Sequence, residues 1–232
     1  MLFRSAALRA PPVVWDRTTV RLLAANAVID AVNVLTFFAA MQTTTVAIAV
    51  LTHYLAPVLV ALAAPRVDGH AVRGAVPASL VAVGGLALVL EPWRVDAAPL
   101  GAILGATSAV AYAGNVFVVR RLGQRIGAAR AVSYHSMGSA VLMAPFAIAA
   151  GGSPTVGGLA WLTVGAILTG AIAGAAFVWG VARIGAARAA MLTYLEPLVA
   201  VAVGALAWHE PLGRFALVGG ALVIASGLYV AR

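Results

Sequence analysis

Long apolar segments without charged residues, separated by short polar turns, dominate the chain. No Asp, Glu, Lys or Arg occurs between Ala131 and Ala182, and a Gly-Gly-Ser-Pro turn from Gly151 to Pro154 divides this stretch in two. Each half is close to the roughly 20 apolar residues that cross a bilayer as one helix. Because a helix in water needs a polar face, these segments predict membrane spans.

The same pattern along the chain predicts an all-α polytopic membrane protein with about eight transmembrane helices. The predicted spans cover residues 18–40, 44–65, 73–91, 97–119, 131–150, 157–182, 186–208 and 213–231. Turn residues separate them, as in the segments 42–45 and 91–94. Because the connections are short, we expect consecutive helices to be antiparallel neighbours.

The distribution of arginine predicts the orientation of the spans. All 15 basic residues are Arg, and the abundance of Ala, Val and Gly beside them indicates a GC-rich bacterial genome. If the N-terminus is cytoplasmic and the spans alternate, only Arg94 and Arg214 of the 15 lie outside, which leaves 13 inside. This bias follows the positive-inside rule. We expect a multi-pass protein of the bacterial inner membrane with both termini cytoplasmic.

Composition excludes several classes of function. The chain is 63% hydrophobic and 9% charged, and the net charge of +8 is assigned to loop arginines rather than to binding of nucleic acid. The absence of Cys excludes disulfides and thiolate metal sites. No P-loop, HExxH or GxSxG motif occurs, so neither an ATP-driven pump nor an enzyme is expected. No metal and no cofactor are predicted.

Residues 1–17 are interpreted as a segment at the cytoplasmic surface.

An internal repeat relates the two halves of the chain. The motif Tyr-Leu-Ala-Pro at 54–57 recurs as Tyr-Leu-Glu-Pro at 194–197, and Phe37 matches Phe177 at the same shift of 140 residues. The two motifs lie on the second and seventh predicted spans, so the two copies cross the membrane in opposite directions. Inverted repeats of this kind are typical of secondary transporters.

The C-terminal segment of residues 194–232 resembles the end of an EamA domain of the drug/metabolite transporter superfamily. The resemblance depends on Pro197, the turn His209-Glu210-Pro211, the pair Gly219-Gly220 and the late Gly227. The family has ten helices in two five-helix repeats, and the eight spans correspond to its third to tenth. The resemblance therefore implies an incomplete inverted repeat of 3 + 5 helices that lacks the first two. Its parts are a partial repeat at 18–91 and a complete one at 97–232.

Glu196 is the first candidate for function inside the membrane, where a charged group is costly. It precedes Pro197, which cannot donate to the carbonyl of Thr193, and a freed carbonyl beside a carboxyl group is a potential cation or proton site. Pro57 is expected to free the carbonyl of His53 in the same way. The alternative is that both prolines are packing kinks and that Glu196 is a neutral acid bonded to a neighbour.

Two polar stripes are further candidates for a substrate or proton pathway. Each has i, i+4, i+7 spacing, which places its members on one helix face that must meet protein or water. Their members are Asn26, Asp30 and Asn33 on the first span, and Ser108, Tyr112 and Asn115 on the fourth. The alternative is interhelical hydrogen bonding. His53, at mid-span, suits a proton relay, and the alternative is a core histidine bonded to a neighbour. His135 lies nearer a helix end and fits a structural role better.

These features favour a secondary transporter, in the export direction, that moves a small metabolite by alternating access. Proton coupling through Glu196 or Asp30 is part of this hypothesis. The alternative is a truncated membrane protein that does not transport, or a subunit whose partner supplies the missing helices. The expected partners are a small-molecule substrate and the lipid bilayer, with a homodimer as an alternative and with no nucleic acid. The sequence does not specify the substrate.

Overall fold

A computed structural model describes residues 15–69, 71–94, 98–151 and 155–232, and every regular element in these ranges is helical. A 3₁₀ turn covers Pro92–Arg94, and a π-helical segment covers Ala166–Ile172. The eleven α-helices of these ranges are α1 Arg17–Thr43, α2 Val46–His53, α3 Ala56–Val67, α4 Ala75–Leu90, α5 Pro99–Ile126, α6 Ala128–Ala150, α7 Val156–Gly165, α8 Ala173–Ile184, α9 Ala186–Leu192, α10 Leu195–Ala207 and α11 Ala216–Ala231.

Seven helical segments within the described ranges are long and apolar enough to cross a membrane. They are α1, α2 with α3, α4, α5, α6, α7 with α8, and α9 with α10, and α11 is a shorter apolar helix. The prediction of an all-helical polytopic membrane protein with about eight helices is confirmed. The predicted segment at 1–17 lies outside the described residues except for its last three, and so does the turn at 152–154.

The chain folds into two compact units. The first unit contains the described residues up to Ala31 together with Phe117–Ile184, and its core is formed by α5, α6 and α8. The α1 helix begins with Asp16 as its N-cap, whose Oδ1 accepts a 2.7 Å hydrogen bond from the backbone N–H of Thr19. This N–H, the Thr19 hydroxyl and an ion pair with Arg125 hold the pKa of the Asp16 carboxyl below its usual value.

The second unit contains Val32–Val116 and Gly185–Arg232. Its most extensive helix pair is α4 with α11, and their closest approach is at Gly85 and Gly219. A Cβ atom at Gly85 would lie 2.7 Å from the carbonyl oxygen of Gly219. Small residues at such a crossing let two membrane helices pack backbone to backbone. The boundaries of the two repeats, at 18–91 and 97–232, stay a prediction.

Candidate functional site

Both tyrosines of the repeated motif lie at breaks between helices. Tyr54 lies between α2 and α3, and Tyr194 lies between α9 and α10. Pro57 and Pro197 occupy the first turns of α3 and α10, where the missing N–H of proline costs little. The repeated motif therefore has the same local structure in both places: a helix end, a tyrosine, and a helix start that contains proline.

The break before Pro197 is closed by tighter turns. The N–H of Thr193 donates to the carbonyl of Ala190 at 3.3 Å, and the N–H of Glu196 donates to the carbonyl of Thr193 at 3.0 Å. The Thr193 carbonyl therefore has a partner, and the expectation of a freed carbonyl beside Glu196 is wrong. An i→i+3 turn of the 3₁₀ type supplies the donor that proline lacks.

Hydrogen bonds join the two breaks within the second unit. The hydroxyl of Tyr54 donates to Oε2 of Glu196 at 2.8 Å. The hydroxyl of Tyr194, a residue only 1% exposed, lies 3.0 Å from the carbonyl oxygen of Tyr54 and 3.3 Å from that of Ser79. The centroids of the two tyrosine rings are 5.9 Å apart. Each tyrosine hydroxyl thus bonds to the opposite copy of the motif.

His53, Ser108 and Asn33 form a chain whose direction is fixed by its donors. The Ser108 hydroxyl donates to Oδ1 of Asn33 at 2.8 Å, and Nδ1 of His53 lies 2.7 Å from Ser108 Oγ. A serine hydroxyl has one hydrogen. Because that hydrogen bonds to Asn33, Ser108 must accept from His53, and Nδ1 carries the ring proton. The nitrogen of His53 that can take up a further proton is therefore Nε2.

Aromatic rings surround the imidazole of His53. The ring centroid lies 4.7 Å from that of Phe37, 5.3 Å from that of Tyr112 and 5.6 Å from that of Tyr54. Ring pairs at these distances are close enough to pack, so the three aromatic side chains fix the orientation of the imidazole. Tyr54 touches both His53 and Glu196, which connects the histidine to the carboxyl group through one side chain.

A groove of about 630 Å³ runs along one face of α10. Its lining residues are apolar except for one carboxyl group, and they are Leu195, Glu196, Val199, Ala200, Val203 and Trp208. All six belong to α10 and its C-cap, so the groove is an open apolar face of this helix that carries one carboxyl group. Glu196 therefore borders the groove and also bonds to Tyr54.

The first unit holds a separate polar cluster. Nδ1 of His135 lies 2.9 Å from Oδ1 of Asn26, and Nε2 lies 3.6 Å from Oδ2 of Asp30. The hydroxyl of Ser139 donates to the same Asp30 oxygen at 2.5 Å. His135 and Ser139 have i, i+4 spacing on α6, a signal that sequence reasoning could have used and did not. Asn115, the last member of the second stripe, is buried on α5.

The structure thus divides the predicted residues between two clusters. Asn26 and Asp30 lie in the first unit, whereas Asn33, His53, Ser108 and Glu196 interact within the second. Sequence reasoning did not include the hydroxyls of Tyr54 and Tyr194, although the repeated motif marks both residues. In the described part of the chain, no group of three or more His, Cys, Asp or Glu could hold a metal ion.

Comparisons with known proteins agree with this architecture. The EamA-like transporter family matches residues 99–232. An uncharacterized transporter of Archaeoglobus fulgidus is 31% identical over 223 residues, which cover 94% of this chain and 77% of the relative. A protein of known crystal structure has the same fold, with a TM-score of 0.74 and 22% identity over 94% of this chain and 78% of that one. The chain is a membrane protein that belongs to the EamA-like transporter family.

Proposed function

We propose that the chain is a secondary transporter that exports a small metabolite across the bacterial inner membrane by alternating access. The observation that carries this proposal is the 2.8 Å hydrogen bond between Tyr54 and Glu196. It joins the two copies of the repeated motif, each at a break between helices. Irregular backbone at membrane depth occurs where it lines a cavity or a site, and repeat interfaces are where secondary transporters bind substrate.

The substrate is proposed to bind along the groove of α10, beside the breaks at Pro57 and Pro197. The groove offers an apolar wall from α10 and the Glu196 carboxyl group as its polar contact. Such a surface suits a small molecule with an apolar part and a group that can bond to a carboxyl oxygen. His53 and Tyr112 lie behind Tyr54 and would position that tyrosine.

In the proposed mechanism, a bond between substrate and Glu196 replaces the hydrogen bond from Tyr54 to Glu196, and this replacement triggers the conformational change. The step requires a substrate group that binds Oε2 of Glu196, because this is the oxygen that accepts from the Tyr54 hydroxyl and a carboxyl group has a second oxygen. Breaking this bond would release one motif from the other and let the two repeats rock. A ligand shifts such an equilibrium only by its different affinity for the two states. The competition at Glu196 provides that difference.

Proton coupling through Glu196 is part of the same proposal, with Asp30 as the other acidic candidate. A proton on Glu196 would exclude a substrate group that binds only the ionised carboxylate, which is the simplest form of exchange. The orientation with both termini cytoplasmic is supported by the excess of Arg in the loops assigned to the inside. In this orientation a proton gradient directed inward would drive export.

Reconstitution in liposomes tests the proposal. The purified 232-residue chain is screened with radiolabelled amino acids, sugars and nucleotides for saturable flux, with and without a pH gradient. We expect flux of one class of compound, stimulated by the gradient in the wild type and independent of it in Glu196→Gln. Glu210→Gln is the matched control, because Glu210 is an exposed glutamate between α10 and α11. The flux through this variant should equal that of the wild type.

Two results would contradict the proposal. If Glu196→Gln kept both the flux and its dependence on the gradient, coupling through this carboxyl group would be wrong. If the wild-type chain bound and moved no compound of the panel, the alternative of a non-transporting subunit would be favoured. Tryptophan fluorescence provides an independent measurement of binding, because Trp208 lines the same groove as Glu196.

A further inference from the structure

A second polar cluster, in the first unit, has no role in the groove or at the tyrosine breaks. It consists of Asn26 and Asp30 on α1 and of His135 and Ser139 on α6. Asn26 is fully buried and Asp30 is 9% exposed, whereas the side chain of His135 is 29% exposed. Ionisable groups inside a membrane span are rare, and proton relays are one of the places where they occur.

The hydrogen bonds fix which nitrogen of His135 can take up a proton. Nδ1 of His135 lies 2.9 Å from Oδ1 of Asn26, and an amide oxygen only accepts hydrogen bonds. Nδ1 must therefore carry a hydrogen and donate it to Asn26. In a neutral ring, Nε2 then carries no hydrogen and has a free lone pair. Nε2 is the nitrogen that lies 3.6 Å from Oδ2 of Asp30.

A lone pair cannot face a carboxylate oxygen favourably without a proton between them. One proton converts this contact into an attraction, because a protonated Nε2 and the Asp30 carboxylate form an ion pair. The Ser139 hydroxyl already donates to Oδ2 at 2.5 Å, which holds the Asp30 carboxyl group in position. The geometry therefore supplies a proton acceptor, its counter-ion, and a donor that holds the counter-ion in place.

Other charged groups of the first unit lie near the ends of their helices. Asp16 and Asp30 are its only carboxylates among the described residues, and Asp16 is already paired with Arg125. Tyr134 is the titratable neighbour of His135 on α6, and its ring packs against Trp15. The remaining charges on the packed helices are Arg17 and Arg21 on α1, Arg120, Arg121 and Arg125 on α5, Arg130 on α6 and Arg183 on α8.

We infer that Asp30 and His135 form a proton-binding pair in which Nε2 of His135 takes up the proton, Asp30 is its counter-ion, and Asn26 fixes the tautomer. The bound species is a proton, with no metal ion and no substrate group required. Its use in coupling rests on the proposed transport function, whereas the binding of the proton does not. The pair gives this chain a proton site separate from the Glu196 carboxyl group.

Nuclear magnetic resonance of ¹⁵N-histidine tests this inference without a substrate. The 232-residue chain, which contains four histidines, is placed in phosphatidylcholine nanodiscs, and His135 is assigned with His135→Gln. At alkaline pH we expect the ring to carry hydrogen on Nδ1 alone, and on acidification we expect Nε2 to be protonated as well. A ring with hydrogen on Nε2 alone at alkaline pH would overturn the inference.

Substitution of Asp30 tests the counter-ion. In Asp30→Asn the Nε2 signal of the doubly protonated His135 ring should move from its wild-type position, because the carboxylate 3.6 Å away is replaced by an amide. Glu196→Gln is the matched control, because it removes the other acidic candidate and should leave the His135 signals unchanged. An unchanged Nε2 signal in Asp30→Asn would show that Asp30 is not the counter-ion.

A second variant measures the role of Asn26 without changing any charge. Asn26→Leu removes the acceptor for Nδ1, so we expect a mixture of the two neutral tautomers at alkaline pH. An unchanged tautomer would contradict the assignment of Asn26. Failure of the transport proposal has a different signature, since a chain without flux would still show the expected protonation of His135.

Discussion

Tyr54 and Glu196 lie 142 positions apart in the chain, and the hydroxyl of the tyrosine donates a 2.8 Å hydrogen bond to the carboxyl group of the glutamate. The first copy of the repeated motif has Ala56 at the position that Glu196 occupies in the second. Only one copy therefore supplies a carboxyl group, and the tyrosine of the other copy binds it. The two copies of the motif therefore differ in chemistry at this contact.

Removal of the Tyr54 hydroxyl should release Glu196 while leaving the aromatic ring in place. In Tyr54→Phe we expect a loss of about 1 kcal/mol in the free energy of unfolding, as is typical for a hydrogen bond between membrane helices. Substrate should bind more tightly, because the carboxyl group no longer has a competing donor. Thermal unfolding in detergent and substrate titration measure the two effects.

Tyr229→Phe is the control for this variant. Tyr229 is 60% exposed on α11, so this substitution removes a tyrosine hydroxyl without touching the bond to Glu196. We expect substrate affinity to be unchanged in Tyr229→Phe. Weaker binding of substrate by Tyr54→Phe would show that the tyrosine contributes to the site rather than competing for it.

Tyr194 has a structural role that differs from that of Tyr54. Its hydroxyl lies within hydrogen-bonding distance of the carbonyls of Tyr54 and Ser79, and it is almost completely buried. Tyr194→Phe should lower the free energy of unfolding by about 1 to 2 kcal/mol, because a buried acceptor at a helix break loses its donor. Thermal unfolding measures this, and Tyr229→Phe, at a residue that is 60% exposed, is the matched control.

Ser108 determines the tautomer of His53. Ser108→Ala removes both the acceptor for Nδ1 and the donor to Asn33, so we expect the ring to lose its preference for hydrogen on Nδ1. The ¹⁵N spectrum of His53 measures the tautomer directly. In the control Ser226→Ala, which removes a hydroxyl bonded only to the Leu222 carbonyl of its own helix, the His53 signals should not change. An unchanged tautomer in Ser108→Ala would contradict the proposed direction of the chain.

The spans could be predicted from sequence because the bilayer requires about 20 apolar residues for each of them. The polar stripe on α1 is predicted from its spacing, and its members have partners in both units: Asp30 bonds to Ser139, and Asn33 bonds to Ser108. That the stripe lines a pathway stays a prediction. Helical periodicity gives the face on which a residue lies. It does not give the helix that packs against that face, which depends on tertiary contacts.

The helix breaks show the same limit. Pro197 predicts that one N–H is missing, but the backbone closes the gap with a bond from Glu196 to Thr193. Proline chemistry determines which donor is lost, and local turn geometry determines which donor replaces it. The repeated tyrosine was visible in the sequence as a motif. Its partner was not, because the contact between Tyr54 and Glu196 joins distant parts of the chain.

The crossing of α4 and α11 provides a test of the packing itself. Gly85→Leu should prevent close approach of the two helices, because its Cβ atom would lie 2.7 Å from the carbonyl oxygen of Gly219, and backbone cannot move aside as a side chain can. We expect a loss of about 3 kcal/mol or more, at the upper end of overpacking costs. Gly84→Leu is the matched control, since nothing lies within 4 Å of a Cβ atom there. Thermal unfolding that is equally impaired in both variants would show that the crossing does not determine stability.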